Sequence, residues 1–411
     1  MLSNDKVEAS LCEELPYWDF EENTRPHSIL NDGSLVAGMK LSLIDIECFD
    51  ADSINQITQK IRSTLNSLSE NITAQFYFNV GSDFSKTINK HFDSPYKSIH
   101  PIIADIALSR KAKLINDLDN FELYRPSLYV FLRFKHETSK AFSFFKKKDI
   151  FTEASLTQYE ESLDTLFQNI DVLSTSLKQI GVSSKLLSKD EIIKNIYHYL
   201  NPKRANYQSP PIIQKDNDPQ VAFDDESEWL ANQSPRNQIV FGDLVLELDQ
   251  FILDSTYHRL ITLKTLPEVT FAGQLSNFLR MPFHYDLLLS FHVPEQSSEM
   301  NRLNQKRKMA HSLAATRGQH ATDLESETKL NSTEELIREL LSTGQRIYAM
   351  ELSIVLREPF GIDGLKKLNR NSRDVLSRLR SLQGAEGLEE SVGAWKIFKN
   401  NLVCAPLTLS R

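Results

Sequence analysis

Period-two and period-3.6 patterns of apolar residues alternate along this chain, and they predict its elements before any chemistry is considered. Asn31-Asp32-Gly33 marks a turn, and residues 35–47 after it read as a strand. Asp52 or Ser53 then caps a helix whose stripe is Ile54, Ile57, Ile61, Leu65 and Leu68. The strand "NITAQFYFNVG", a helix over about 101–119 and the aromatic-rich strand "RPSLYVFLRFKHE" continue the alternation. A long amphipathic helix is expected over about 152–180, with Leu156, Tyr159, Leu163, Leu166, Phe167, Ile170, Leu173 and Leu177 on one stripe and Gly181 as its stop. A short strand "VSSKLLS" and a helix "KDEIIKNIYHYL" close this half.

Residues 202–238 lose the periodicity and are rich in Pro, Asn, Gln, Ser and Asp, which reads as a polar linker or long exposed loop. The pattern then restarts with strands "IVFGDLVLELDQFIL" and "HRLITLKTLP", a short helix around 271–278 and the strand "HYDLLLSFHVP". A polar helical region over 296–343 reads as a hairpin interrupted at Gly318 and Asn331-Ser332. The strand "RIYAMELSIVLRE", a helix over 364–382 and a last strand or extended segment in "NNLVCAPLTLSR" follow. The expected class is therefore α+β: two mixed α/β subdomains, 1–201 and 239–411, each a sheet with long amphipathic helices packed against it. The shared alternation suggests a loose duplication.

Composition narrows the partners. With 411 residues and 40% hydrophobic content, the chain can bury two cores. Its 55 acidic and 47 basic residues leave a formal net charge of -8, which repels a phosphate backbone, so no direct nucleic-acid binding is expected. Cys12, Cys48 and Cys404 have neither the density of a disulfide framework nor the spacing of a zinc site, as suits a reducing cytoplasm. No apolar run approaches the roughly 20 residues of a membrane span, so any membrane contact is expected to be peripheral.

The sequence carries no expected catalytic, cofactor-binding or metal residue. A phosphate-cradling loop, a nucleophile elbow, a zinc helix, a calcium loop and a dinucleotide fingerprint are all missing from the sequence. His284 and His292 share a strand but stand ~26 Å apart along it, too far for one metal ion. His311 and His320 read as solvated helix residues. The basic set Arg302, Lys306 and Arg307 reads either as a patch for phosphate or an acidic partner or as a solvated helix face, which acidic residues soon balance. Asp224, Asp225, Glu226 and Glu228 lack the glycine turn and distal Glu of a calcium loop. In "KAFSFFKKKDIFTE", Phe144 and Phe145 adjoin Lys146, Lys147 and Lys148. Two readings stand: a contact with a partner or an anionic membrane, at about 1 kcal/mol per lysine, or a strand-to-helix loop with its Phe side chains in the core.

An ordered set of segments gives a resemblance. It comprises "ELPYWDFEEN" from Glu14, "LNDGSLVAGMKLS" from Leu30, "FFKKKDIF", "LNP" at residues 200–202, "MPFHYDLLLSFHVP" from Met281, and the long helical excursion before "RIYAMELSIVL". Together they resemble the N-terminal region of TraC-like assembly ATPases of conjugative type IV secretion systems. The resemblance implies a module without the RecA-like motor, whose phosphate loop, ATP and Mg lie beyond the matching region. It further implies a non-catalytic role in oligomerisation and in docking to inner-membrane secretion components, at the cytoplasmic face of a bacterial inner membrane. The last twelve residues then fall near the family's hand-over to the motor. A stand-alone scaffold relative, and an enzyme whose residues converge only in three dimensions, are the alternatives.

Overall fold

In this computed structural model, residues 11–22, 25–44, 49–93, 100–135, 156–213, 234–267, 270–316 and 324–405 are described. The turn at Asn31-Asp32-Gly33 joins β2 (His27–Leu30) to β3 (Leu35–Leu41), and Gly33 takes a φ of 78°, which a side chain would strain. β1 (Tyr17–Glu21) pairs with β2 on its outer side. The cap of α1 (Ala51–Ser67) is Asp50, which accepts from Ser53 N at 3.0 Å; the expectation of Asp52 or Ser53 placed it too late. Then come β4 (Ile72–Gly81), α2 (Ser85–Asp93), α3 (Pro101–Asp119), β5 (Arg125–Phe134), α4 (Leu156–Gln179), β6 (Ser184–Leu186) and α5 (Lys189–Leu200). α5 opens with a capping box between Ser188 and Glu191.

The second half holds β7 (Leu244–Leu246), β8 (Phe251–Leu253), β9 (Thr256–Thr265), β10 (Tyr285–His292), α6 (Gln296–Thr316), α7 (Leu324–Thr343), β11 (Ala349–Pro359), α8 (Ile362–Arg380), β12 (Glu386–Glu389) and α9 (Ala394–Asn400). Three local expectations change here. The helix expected around 271–278 is a single 3-10 turn at Ser276–Phe278. Asn331-Ser332 does not interrupt α7, because Ser332 Oγ donates back to Thr328 O and stays within the helix. Of the final apolar run, residues 400–405 form no strand: Asn400 ends α9 and residues 402–405 continue as a buried turn, with Cys404 at a φ of 61°, while residues 406–411 lie outside the described residues.

The class is α+β, as expected, and the strands of the two halves join edge to edge in one 12-stranded sheet in place of two separate sheets. Its order is β1-β2-β3-β5-β4-β10-β11-β9-β8-β7, with β6 on β3 and β12 on β9. Every pairing among the described residues is antiparallel, whereas the strands of a RecA-like motor run parallel. The join is β4 against β10, from Thr73 opposite His292 to Val80 opposite Tyr285. Both strands are buried along most of their length on both faces, so neither tolerates an open edge.

The order is palindromic in its parts. β3-β5-β4 corresponds to β9-β11-β10; β2 and β8 are the hairpin partners of the outermost of these strands, and β6 and β12 extend their far ends. Helical pairs α2–α3 and α6–α7 occupy the same place in each half, as do α4 and α8, and α5 and α9. The suspected duplication is thus visible in the topology. Because β4 and β10 run antiparallel, the two helical pairs leave from opposite ends of the sheet.

One face carries two separate cores. α4 covers β3 and β5 with Leu166, Phe167, Ile170 and Leu173, and α8 covers β9 and β11 with Leu368, Val375 and Leu379. The other face has one core spanning both halves, from Tyr17, Tyr77 and Phe131 through α5 to Phe251, Leu260, Phe398 and the segment 402–405. Of the expected linker, residues 214–233 lie outside the described residues. Its flanks contribute Ala205, Ile213 and Gln238 to the buried interior.

Candidate functional site

The N-terminal half of α3 places Ile102, Ile103 and Ile106 on one stripe, 62%, 46% and 55% exposed. Arg110 and Lys113 continue the same stripe toward the helix C-terminus, at the three- and four-residue spacing that keeps side chains on one face. Pro101 suits the first turn, which needs no donor there, and Ala107 and Leu118 are the buried residues of the helix. The stripe is therefore an apolar tip with a basic collar. Its spacing was legible in the sequence, but the surplus of apolar residues around the helix concealed which face stays uncovered.

Beside the base of α3, a cleft of about 200 Å³ opens on the shared-core face of the sheet. Tyr77, Asn79 and Gly81 of β4, Arg125, Ser127 and Tyr129 of β5, and Lys40 of β3 line it from the first half. Glu191, Lys194, Asn195 and His198 of α5 form the opposite wall. His284 and Arg357 reach it from the second half, so the β4–β10 join completes the cleft.

The electrostatics of the lining sort into engaged and free groups. Asp83 lies 2.5 Å from Lys194; burial pushes its carboxyl up, but Lys194 and neighbouring cations outweigh that and hold it below the usual range. Glu191 meets Lys185 at 2.7 Å with the same balance. Arg357 lies 2.5 Å from the fully buried Asp286, which also accepts from Tyr77 Oη at 3.0 Å and Asn79 Nδ2 at 2.5 Å. Burial lowers His198 to about 4 against the pull of Asp83, and lowers His284 to about 4 although Leu123 O supports its charged form. His284 Nε2 donates to that carbonyl at 2.8 Å, and its ring stacks on Phe121 at 4.6 Å. Lys40 and Arg125 are exposed and have no carboxylate within ion-pair distance among the described residues. Such a lining can bind and orient an anion; its carboxylates are already committed to cations.

Phe144, Phe145, Lys146, Lys147 and Lys148, the contact expected from the sequence, lie outside the described residues, as do His320 and the acidic cluster at 224–228. His292 Nδ1 sits 3.0 Å from Thr73 Oγ1 across the join, far along β10 from His284. Arg302 lies 3.5 Å from Glu299 on the exposed face of α6. No group of three metal-ligating side chains occurs among the described residues, and no described helix is long and apolar enough to cross a membrane. The cleft escaped the sequence reading because its residues come from many elements and carry no linear spacing.

No curated protein matches the chain. A family model described as TraC protein matches residues 11–361, which run from before β1 to just past β11. The matched stretch takes in strands β1 to β11 from both halves of the sheet, the α3 stripe and the cleft, and it agrees with the resemblance carried by the ordered sequence segments. The chain belongs to the TraC family of conjugative type IV secretion proteins.

Proposed function

We propose that this chain acts as the N-terminal, non-catalytic module of a conjugative secretion ATPase, which self-associates and docks the assembly at the cytoplasmic face of the inner membrane beside the secretion components there. The observation that carries the docking is the uncovered stripe of α3. Three isoleucines of this kind are each worth roughly 1.5–3 kcal/mol when buried. Arg110 and Lys113 behind them add about 1 kcal/mol each near anionic headgroups. That order, apolar tip then basic collar, fits the interface of an anionic bilayer.

Flotation with phosphatidylglycerol vesicles tests the docking. Wild-type protein is expected to float and the double variant Ile102→Asp, Ile106→Asp to remain below; equal flotation overturns it. Self-association rests on a different observation. β7 is an outer strand of the sheet, with Val245 and Leu246 exposed, and such an edge can pair with another copy. In the TraC-like family ATP and Mg belong to the motor, so tight ATP binding by this chain would overturn the non-catalytic reading.

A further inference from the structure

We infer that the cleft between β5 and α5 is a binding site for a phosphate group. Four basic side chains, Lys40, Arg125, Lys194 and Arg357, line it with the carboxylates Asp83 and Glu191. Lys194 is spent on Asp83, Arg357 on Asp286, and Glu191 on Lys185 from outside the cleft. Lys40 and Arg125 remain, two positive charges on one wall, and a phosphate monoester supplies two negative ones.

Position supports the same ligand. Lys40 is opposite Tyr129 in the β3–β5 register, and Tyr129, Ser127 and Arg125 follow one another on a single face of β5. The Lys40 ammonium lies 5.8 Å from the Tyr129 ring centre, so that ring, stacked on Tyr77 at 5.9 Å, braces the cation at the mouth. Ser127 and Asn195 also line it; the Ser127 hydroxyl suits a phosphate oxygen, and Asn195 Nδ2 donates one hydrogen to Glu191 O at 2.7 Å and has a second to give. Arg357 lines the floor, and its buried Nε has no acceptor among the described residues. At roughly 30 Å³ per water-sized group, the space holds about seven, enough for a phosphate and the first atoms of whatever bears it.

The phosphate can arrive free or on a lipid headgroup, since α3 leads into the cleft at Phe121. The site stands on its own geometry and does not depend on α3 touching a bilayer. Calorimetric titration of the full chain with inorganic phosphate at low salt tests it, comparing wild type with Lys40→Ala, Arg125→Ala and the doubly substituted chain. Both side chains are exposed and outside every ion pair described, so the fold is expected to survive. Saturable binding is expected, weakened about tenfold for each cation removed, the size of one charge-assisted hydrogen bond. A Lys306→Ala control, an exposed lysine of α6 away from the cleft, should bind as wild type does. No saturable binding, or equal binding by the doubly substituted chain, overturns the inference. In the lipid form of the supporting result, inorganic phosphate also competes with vesicles containing phosphatidic acid, a lipid phosphate monoester; in the free form it does not. Ile102→Asp with Ile106→Asp should keep phosphate binding even where it abolishes flotation, so the two ideas fail separately.

Discussion

Arg357 of β11 and Asp286 of β10 lie 2.5 Å apart beneath the ring of Tyr199, whose centre is 4.9 Å from the guanidinium carbon. Both are buried, Asp286 on the joining strand β10 and Arg357 one strand beyond it. Burial pushes the Asp286 carboxyl up, and Arg357, Asn79 and Tyr77 pull it back. Burial still prevails at Asp286, and a buried ion pair adds little net stability when intact, while half of it is costly. Asp286→Ala should lose about 3–5 kcal/mol in urea unfolding, and Asp286→Leu combined with Arg357→Met should recover most of that. A double variant no better than the single one would show that the pair does not act as a unit.

Glu358 sits at the end of β11, accepts from Asn371 Nδ2 at 2.7 Å, and is pushed by burial up to about 7. A carboxyl raised in the fold binds its proton more tightly there than in the unfolded chain. Its contribution is complete below the unfolded value of 4.5 and is lost as pH rises through about 7. Compared with Glu358→Gln, wild type should lose stability between pH 5 and 8. Parallel pH profiles for the two proteins would contradict this assignment. The comparison is needed because His198 and His284 act in the opposite sense, losing stability as pH falls from about 6.5 toward 4.

Gly364 lies in the first turn of α8, directly against the end of β11. A Cβ there would lie 1.8 Å from Pro359 O, a backbone atom that cannot swing aside. Gly364→Ala should destabilise by about 1–3 kcal/mol or more, read as a lower thermal midpoint. Gly33→Ala tests strain without collision, since its left-handed φ is costly but its Cβ would meet open space.

Much of this fold was legible where one element supplies its own signals. The limits of α3 follow from Pro101 and the apolar run behind it, and the end of α4 from Gly181 at a φ of 85°. The join was not legible, because Tyr77 and Leu288 are opposite one another across more than two hundred residues of chain. The available sign was the two-sided burial pattern of β4, whose "TAQFYFNV" mixes polar and aromatic residues on the face that later receives Asp286. β1 was missed for a related reason: Trp18 and Glu21 face outward, and only Tyr17 and Phe20 join the core. The cleft is the extreme case, since α5 and β11 approach β5 only after the sheet exists.

The N-terminal strand and the last described segment are tied directly, with Tyr17 Oη donating to Val403 O in the buried interior. Tyr17→Phe should cost about 1–3 kcal/mol, because among the described residues that carbonyl keeps no partner once the hydroxyl is gone. Unchanged urea stability in that variant would mean the tie is dispensable.

The single shared core has a practical consequence for anyone dividing this protein. Separated at residues 202–238, each half would keep its private core under α4 or α8 but would expose a long, flat, apolar edge, β4 in one case and β10 in the other. Such an edge templates pairing with any chain that offers a strand. Either half alone is therefore expected to precipitate or to pair with itself, and mixing the two should restore a soluble particle. Two intact chains could likewise exchange halves across the seam, so a swapped dimer at high concentration would be built from contacts the monomer already makes.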